Sequence, residues 1–402
     1  MQVDRTARSD SQRFLAFPIL RKSSVLGTQK PVTMPHPPLE SVATLKTAGQ
    51  ESSATTIDDQ ERYSRQILFP GIGQEGQRRL AHAHVAVVGC GATGAAAAAL
   101  LARAGIGTLT LIDRDFVEPS NLQRQILFDE ADALQALPKA EGARRKILQF
   151  NSAVSVRPYV TDLVPANINE LLQGAQIVLD ATDNFETRYL INDFAVQQGR
   201  PWIYAAAIGG YAATMNVLPR SLECQGCKPT ACLACIFPKP PSGPVETCDT
   251  AGILSSAVTL AASIQVTETL KFLTSQPQLM RRTLLSFDLW LNERSEVSAT
   301  KPRDGCTVCG TRNFSHLSGE SRPHITLCGR NSVQIHEHHR PVDFAAMQDR
   351  LMPHGRVRFN NLLLRFERPP HTLTLFADGR AIIQGTTDVT VARSLYARFI
   401  GS

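Results

Sequence analysis

Three glycines and a handful of charged side chains bound the chemistry this chain can do. The run GCGATG sets Gly89, Gly91 and Gly94 in a G-x-G-x-x-G pattern. Glycines so spaced permit a tight turn and close approach of backbone amides to phosphate, and a helix opening there offers unpaired N–H groups and a positive dipole end. Asp113 follows at the end of the next apolar run, where a carboxylate accepts hydrogen bonds from ribose hydroxyls. A nicotinamide site needs little beyond that acid, yet the segment continues as DRDFVEPSNLQRQ (113–125). Arg65, Arg124 and Lys139 add a spread of cations, and Asp183 sits in DATDNF at the end of a further apolar run. Cations clamp a polyphosphate and offset the charge that grows on a bridging oxygen as pyrophosphate leaves. A carboxylate at the carboxyl edge of a sheet holds Mg²⁺ between phosphate oxygens. This equipment fits ATP with Mg²⁺ and includes no evident pocket for hydride transfer.

A second set of residues speaks for zinc. Six of the nine cysteines fall in C-x-x-C pairs. Cys232/Cys235 and Cys306/Cys309 together supply four thiolates, the closed tetrahedral set of a structural Zn²⁺ site, and the glycines of DGCTVCG permit a tight knuckle. Cys224/Cys227 is an extra pair with three readings: a substitute pair at zinc, a redox dithiol, or an exposed insertion, the last being favoured. Cys248 is a lone thiol in ETCDTAGI, ahead of an apolar helix whose N-terminal field activates a thiol, while Glu246 and Asp249 oppose thiolate formation. The N-terminus carries no secretory signal, so the cysteines read as metal or thiol chemistry in the cytoplasm rather than a disulfide framework.

The elements that must position these groups alternate. HVAVVG (84–89), GTLTLID (107–113), VSVRPYV (154–160) and AQIVLDATD (175–183) read as buried strands, and WIYAAAIGG and AATMNVLP (202–219) as further strands. ATGAAAAALLARAG (92–105), PKAEGARRKILQFN (138–151) and the apolar block 251–275 read as helices. The alternation predicts an α/β fold, a Rossmann-like doubly wound, mostly parallel sheet with a zinc knuckle. After Cys309 a small α+β module is expected, its strands including RVRFNNLLLRFE and a hairpin in TLTLFADGRAIIQG, its helices DFAAMQDRLM and TDVTVARSLYARFI. The expected domains are therefore an unstructured leader over 1–57, an ATP-binding domain over 58–310 and the small module over 311–402.

Composition closes off other classes. The 402 residues are 43% hydrophobic and 19% charged, ordinary for a globular protein, and no apolar run reaches the ~18 residues of a membrane span. The net charge of +6 is uneven, with 12 Arg against 7 acids beyond residue 310. A basic module suits an acidic protein partner; without aromatic-interleaved basic stripes, nucleic acid is not expected. HEHHR (336–340) reads as a solvated loop rather than a metal site. The module has no cysteine loop of rhodanese type, so sulfur chemistry would draw on another protein.

The motifs also carry a family likeness. RYSRQILF (62–69), GCGATG, DRDFVEPSNLQRQ and DATDNFETRYLIND (180–193) resemble the ubiquitin-activating-type adenylyltransferases, whose bacterial members activate sulfur-carrier proteins of thiamine and molybdopterin synthesis. PWIYAAAIGGYAATMN, ETCDTAGI, LLSFDLW and LCGRNSVQI (327–335) draw the likeness toward the thiamine thiazole branch, over roughly 58–335. The resemblance implies ATP-dependent adenylation of a carrier's C-terminal glycine, with pyrophosphate released and thiocarboxylate formation to follow. It implies that Asp113 holds ribose, Arg124 and Lys139 hold phosphates, Asp183 binds Mg²⁺, and Asn121 and Gln125 shape the nucleotide pocket. It further implies that Arg65 reaches the phosphates from a second subunit of a homodimer, that Cys232/Cys235 and Cys306/Cys309 hold zinc, and that Cys248 joins the activated carrier covalently. A separate sulfur donor, such as a cysteine desulfurase or rhodanese, is the remaining implied partner. The same motifs admit the molybdopterin-synthase carrier as substrate; an NAD-dependent oxidoreductase or a non-catalytic nucleotide-binding scaffold are the distant alternatives.

Overall fold

A computed structural model describes residues 58–240, 251–319, 326–327, 332–335, 342–360, 363–376, 379 and 381–401. Two sheets organise them. The larger has eight strands in the order β3-β2-β1-β4-β5-β6-β7-β8: β1 is His84–Val88, β2 Thr108–Ile112, β3 Ser155–Tyr159, β4 Ile177–Asp180, β5 Trp202–Ile208, β6 Tyr211–Val217, β7 Thr283–Asp288 and β8 Glu293–Ser298. The first five in that spatial row run parallel, and β6 to β8 continue antiparallel. Strands covered on both faces bury residues on either side; β1 is apolar from Val85 to Val88, and the threonine buried within β2, Thr110, has its hydroxyl 2.8 Å from His84 Nε2. Val85 and Val87 point into one core layer with Leu109, Leu111 and the helix Ala92–Arg103; Ala86 and Val88 point into the other with Ile112, Val178 and the helix Phe185–Gln198.

The chain reverses its winding between β1 and β4, with β2 and β3 laid to one side and β5 to the other. At such a switch point the loops leaving neighbouring strands diverge and open a crevice at the carboxyl edge. The poly-alanine helix Ala92–Arg103 permits close packing with the helix Ser255–Leu273, whose buried Gln265 donates its Nε2 to the carbonyls of Asp180 (2.8 Å) and Ile203 (2.9 Å). That bond pins the end of β4, where the acidic residues stand. No helix among the described residues is long and apolar enough to cross a membrane.

The second sheet has six antiparallel strands in the order β11-β12-β13-β14-β10-β9, with β9 Thr326–Leu327, β10 Ser332–Ile335, β11 Arg356–Phe359, β12 Leu363–Arg368, β13 His371–Phe376 and β14 Ala381–Gln384. RVRFNNLLLRFE thus holds two strands instead of one. Helices Phe344–Leu351 and Val389–Phe399 cover one face of this sheet, over Leu364, Phe366, Leu373, Leu375 and Ile383.

Candidate active site

The cavity at the switch point has a volume of about 460 Å³, inside the ~300–1,000 Å³ usual for small-molecule sites. Gly89, Gly91, Asp113, Arg124, Gln125, Lys139 and Asp183 all line it. Residues scattered over about 95 positions therefore meet at one place because four parallel strands end there.

The glycines have separate reasons. A Cβ on Gly94 would sit 1.8 Å from the Gly89 carbonyl oxygen, so Gly94 lets the helix lie against the strand end and does not itself face the cavity. At Gly91 a Cβ would meet nothing within 4 Å, and the backbone there is open to a ligand. Gly91 caps the helix Ala92–Arg103 without any side-chain hydrogen bond, which leaves first-turn amides for an anion.

Asp113 closes the turn from the other side. Its Oδ2 accepts from the Cys90 amide at 2.6 Å and its Oδ1 from the Asp115 amide at 2.7 Å. Burial holds the Asp113 carboxyl above the ordinary carboxylate range, against the opposing pull of Lys139. Lys139 is itself buried and opens the helix Lys139–Phe150, with its Nζ 3.1 Å from Asp115 Oδ2. Arg124 is half-buried and donates to the Ser120 carbonyl at 2.7 Å. The buried Asn121 does not line the cavity. Its carbonyl accepts from the amides of Arg124 (3.1 Å) and Gln125 (2.9 Å), so it fixes the turn that presents them. Gln125 lines the cavity and is 3% exposed, and its buried Oε1 is an acceptor with no hydrogen-bond partner. Such an atom costs free energy unless a ligand supplies a donor. The open backbone at Gly91, the free helix end and this orphan together fit a nucleotide.

Asp183 is exposed in the loop between β4 and the helix Phe185–Gln198. Arg65 is the outlier. It is exposed on the short helix Ser64–Ile67, is held there by the burial of neighbouring Tyr63, and does not line the cavity of its own chain. Cys248 lies outside the described residues, as do Glu246, Asp249 and the HEHHR segment.

Four further charged residues line or support the cavity. Arg114 donates to Asp162 Oδ1 at 2.6 Å and lies 3.9 Å from Asp115. Arg188 spans the floor, its Nε 3.2 Å from Asp180 Oδ2 and its Nη2 donating to the Ala205 carbonyl at 3.1 Å; the guanidinium also lies over the Tyr204 ring. Burial raises the Asp180 carboxyl above its usual range, with Arg188 and the Thr182 hydroxyl opposing it. The signals for these residues are present in sequence: Arg114 follows the ribose acid directly, and Arg188 falls in the first turn of the helix after Asp183. Nothing in their spacing shows that they pair.

The four thiols of Cys232, Cys235, Cys306 and Cys309 lie within 4.8 Å of one another, with Sγ···Sγ separations of 3.8, 3.6 and 3.3 Å along three edges. Four thiolates at ~2.3 Å from a tetrahedral Zn²⁺ stand ~3.8 Å apart, so the cluster fits zinc with no open coordination position. A Cβ on Gly310 would lie 2.2 Å from the Asp304 carbonyl, which explains the glycine after the second pair. The Arg303 amide donates to Cys235 Sγ at 3.2 Å. Cys224 and Cys227 are half-exposed and joined to each other as a disulfide, apart from this cluster. Cys90 is a buried packing residue whose amide, not its thiol, serves the site.

A glycine turn on a doubly wound sheet, a polar switch-point cavity with buried cations and a closed four-cysteine knuckle define an ATP-using enzyme of the adenylyltransferase class. Residues 63–308 match the ThiF family, and the chain belongs to it. It is 44% identical over 344 residues to the sulfur carrier protein ThiS adenylyltransferase of Bacillus subtilis, an alignment covering 85% of this chain and 99% of that protein. It is 38% identical over 263 residues to the adenylyltransferase and sulfurtransferase MOCS3 of Sus scrofa, covering 65% of this chain and 55% of that longer protein. The SAMP-activating enzyme E1 of Haloferax volcanii is 36% identical over 258 residues, 64% of this chain and 90% of its own length. Among solved structures, E. coli MccB with MccA-N7isoASN superposes with a TM-score of 0.55 at 24% identity, over 63% of this chain and 75% of that one, a likeness of fold.

Proposed function

We propose that this chain adenylates the C-terminal glycine carboxylate of a ubiquitin-like sulfur-carrier protein of the ThiS type and so prepares it to receive sulfur. The observation that carries this reading is the convergence of Asp113, Arg124, Gln125, Lys139 and Asp183 on one cavity at the carboxyl edge of the sheet. A carboxylate is a poor nucleophile and is repelled by a triphosphate; Arg124 and Lys139 offset that repulsion and the charge of the departing pyrophosphate. The first-turn amides after Gly91 hold phosphate oxygens, and Asp113 orients the ribose, which leaves the α-phosphorus facing the incoming carboxylate. One carboxylate oxygen bonds to that phosphorus as the bridging oxygen to pyrophosphate departs, giving an acyl-adenylate. No protein nucleophile is required for this half-reaction. Asp183 is the residue that would hold Mg²⁺, and the ion would help neutralise the charge of the triphosphate.

The active unit in this reading is a cytoplasmic homodimer in which Arg65 of one copy serves the cavity of the other; its exposure, away from the cavity of its own chain, supports that arrangement. Cys248 takes the activated carrier as a covalent adduct, and a separate protein, a cysteine desulfurase or rhodanese, supplies the sulfur. ATP–pyrophosphate exchange with purified carriers tests the reading. Exchange that depends on a Gly-Gly-ending ThiS-type carrier supports it; exchange only with a molybdopterin-synthase-type carrier reassigns the substrate; no carrier-dependent exchange refutes it.

A further inference from the structure

The helices of the C-terminal module cover one face of its sheet, and the other face carries an apolar patch of its own. There Leu363 and Arg365 of β12, Thr374 and Phe376 of β13 and Ile382 of β14 stand in cross-strand register. This face meets the nucleotide domain. Leu363, Phe376 and Ile382 form a buried cluster with Phe116, bordered by Ala136 and Val160. The Arg365 guanidinium lies over the Phe116 ring at 5.2 Å, and Asn360 Nδ2 donates to the Gln135 carbonyl at 3.4 Å.

Phe116 is 2% exposed and adjoins the cavity in sequence and in space. It follows Asp113, Arg114 and Asp115, all three of which line the cavity. It also pairs in an isolated bridge with Pro138, beside Lys139. Two backbone bonds lock the segments together: the Lys139 amide donates to the Asp115 carbonyl and the Val117 amide to the Leu137 carbonyl, both at 2.8 Å. The backbone on both sides of Phe116 is thus tied to the start of the Lys139 helix, and the packed ring holds that backbone against the C-terminal sheet.

We propose that Phe116 is a positioning residue through which the C-terminal sheet sets Asp115 and Lys139 for the triphosphate. This rests on the adenylylation reading above and gives the module a part in it. The module is a brace on the nucleotide loops, with Arg365 and the Leu363–Phe376–Ile382 face as its contact. Binding free energies are reciprocal, so nucleotide in the cavity must also steady the sheet.

Four measurements on the full chain test this. In the F116A variant the KM for MgATP should rise about tenfold in the exchange assay, with kcat and the KM for the carrier within twofold of wild type. F116Y, which keeps the aromatic face, should restore the ATP KM. R365M should give a smaller rise of the same kind, and it stands in if F116A does not fold. In wild-type protein MgATP should slow amide hydrogen exchange in β12 to β14 as well as in the cavity loops. An unchanged ATP KM in both F116A and R365M, or nucleotide protection confined to the cavity loops, overturns the brace while leaving the proposed activity standing. Wild-type protein that neither binds nor exchanges ATP overturns the activity itself.

Discussion

Lys139 gives the sharpest separation between holding the fold and doing chemistry. Its side chain is 3% exposed and its Nζ is 3.1 Å from Asp115, with Arg114 a second cation 3.9 Å from the same carboxylate. Breaking a buried ion pair by deleting one partner costs ~3–5 kcal/mol. Asp115 keeps Arg114 nearby and 19% of its side chain in contact with water, so K139M should fall at or below the low end, ~2–3 kcal/mol. Neutralising the leftover acid in K139M/D115N should return most of that loss. Activity should not return with it. Losing a charge-assisted hydrogen bond to a phosphate costs ~1.5–3 kcal/mol, roughly 10- to 100-fold in exchange rate. Urea unfolding reads the first quantity, and carrier-dependent ATP–pyrophosphate exchange reads the second. If K139M loses stability as expected yet exchanges within twofold of wild type, Lys139 only holds the loop and its phosphate role is wrong.

The other predictions follow from the same geometry. Burial raises the Asp113 carboxyl, so the folded chain holds that proton more tightly than the unfolded chain does. Stability is then lost as pH rises from the unfolded value of ~3.9 through the raised one, while the ionised acceptor for ribose is gained over the same window. D113N keeps only one of the two acceptors for the Cys90 and Asp115 amides, so it should cost ~1–3 kcal/mol while removing the pH dependence of stability over that window; it should bind ATP more weakly, and its ATP affinity should lack the acid limb that titration calorimetry finds in wild type. Metal analysis should give one zinc per chain, retained when Cys224 and Cys227 are both replaced by serine and lost in C306S along with stability, since Cys232 and Cys306 sit in the core beside β4 and β5. C248A should keep exchange near wild type and lose thiocarboxylate formation, read by mass spectrometry of the carrier; equal loss of both would make Cys248 structural.

Local spacing is legible in a sequence, and tertiary pairing is not. GCGATG announces its turn because its function is backbone conformation, and the two C-x-x-C pairs announce a knuckle because ligand spacing is itself local. The strands β1, β2 and β4 are legible as short runs of strand-forming residues bounded by turn residues, and the alternation with helices predicts a parallel sheet without giving its strand order. By contrast, Arg114, Asp180 and Arg188 look like ordinary charged residues in sequence; Arg114 meets Asp162 only where β2 and β3 end side by side, and Asp180 meets Arg188 only because the end of β4 packs against the helix that follows it. Asn121 reads as a residue that shapes the pocket, and the structure places it in the turn that presents Arg124 and Gln125. Phe116 looked like one more apolar residue in DRDFVEP, because the face that covers it lies about 250 positions further along the chain. The extra Cys224–Cys227 pair, open in sequence to three readings, is a disulfide outside the four-cysteine cluster.

The most direct test of the central claim follows the α-phosphorus. With ATP labelled at the α-phosphate and the carrier held short of any sulfur source, label should pass to the carrier's C-terminus in a form cleaved by hydroxylamine, as an acyl-phosphate anhydride must be. Label appearing on the carrier only from the γ-phosphate, or not at all while nucleotide is bound, would contradict it.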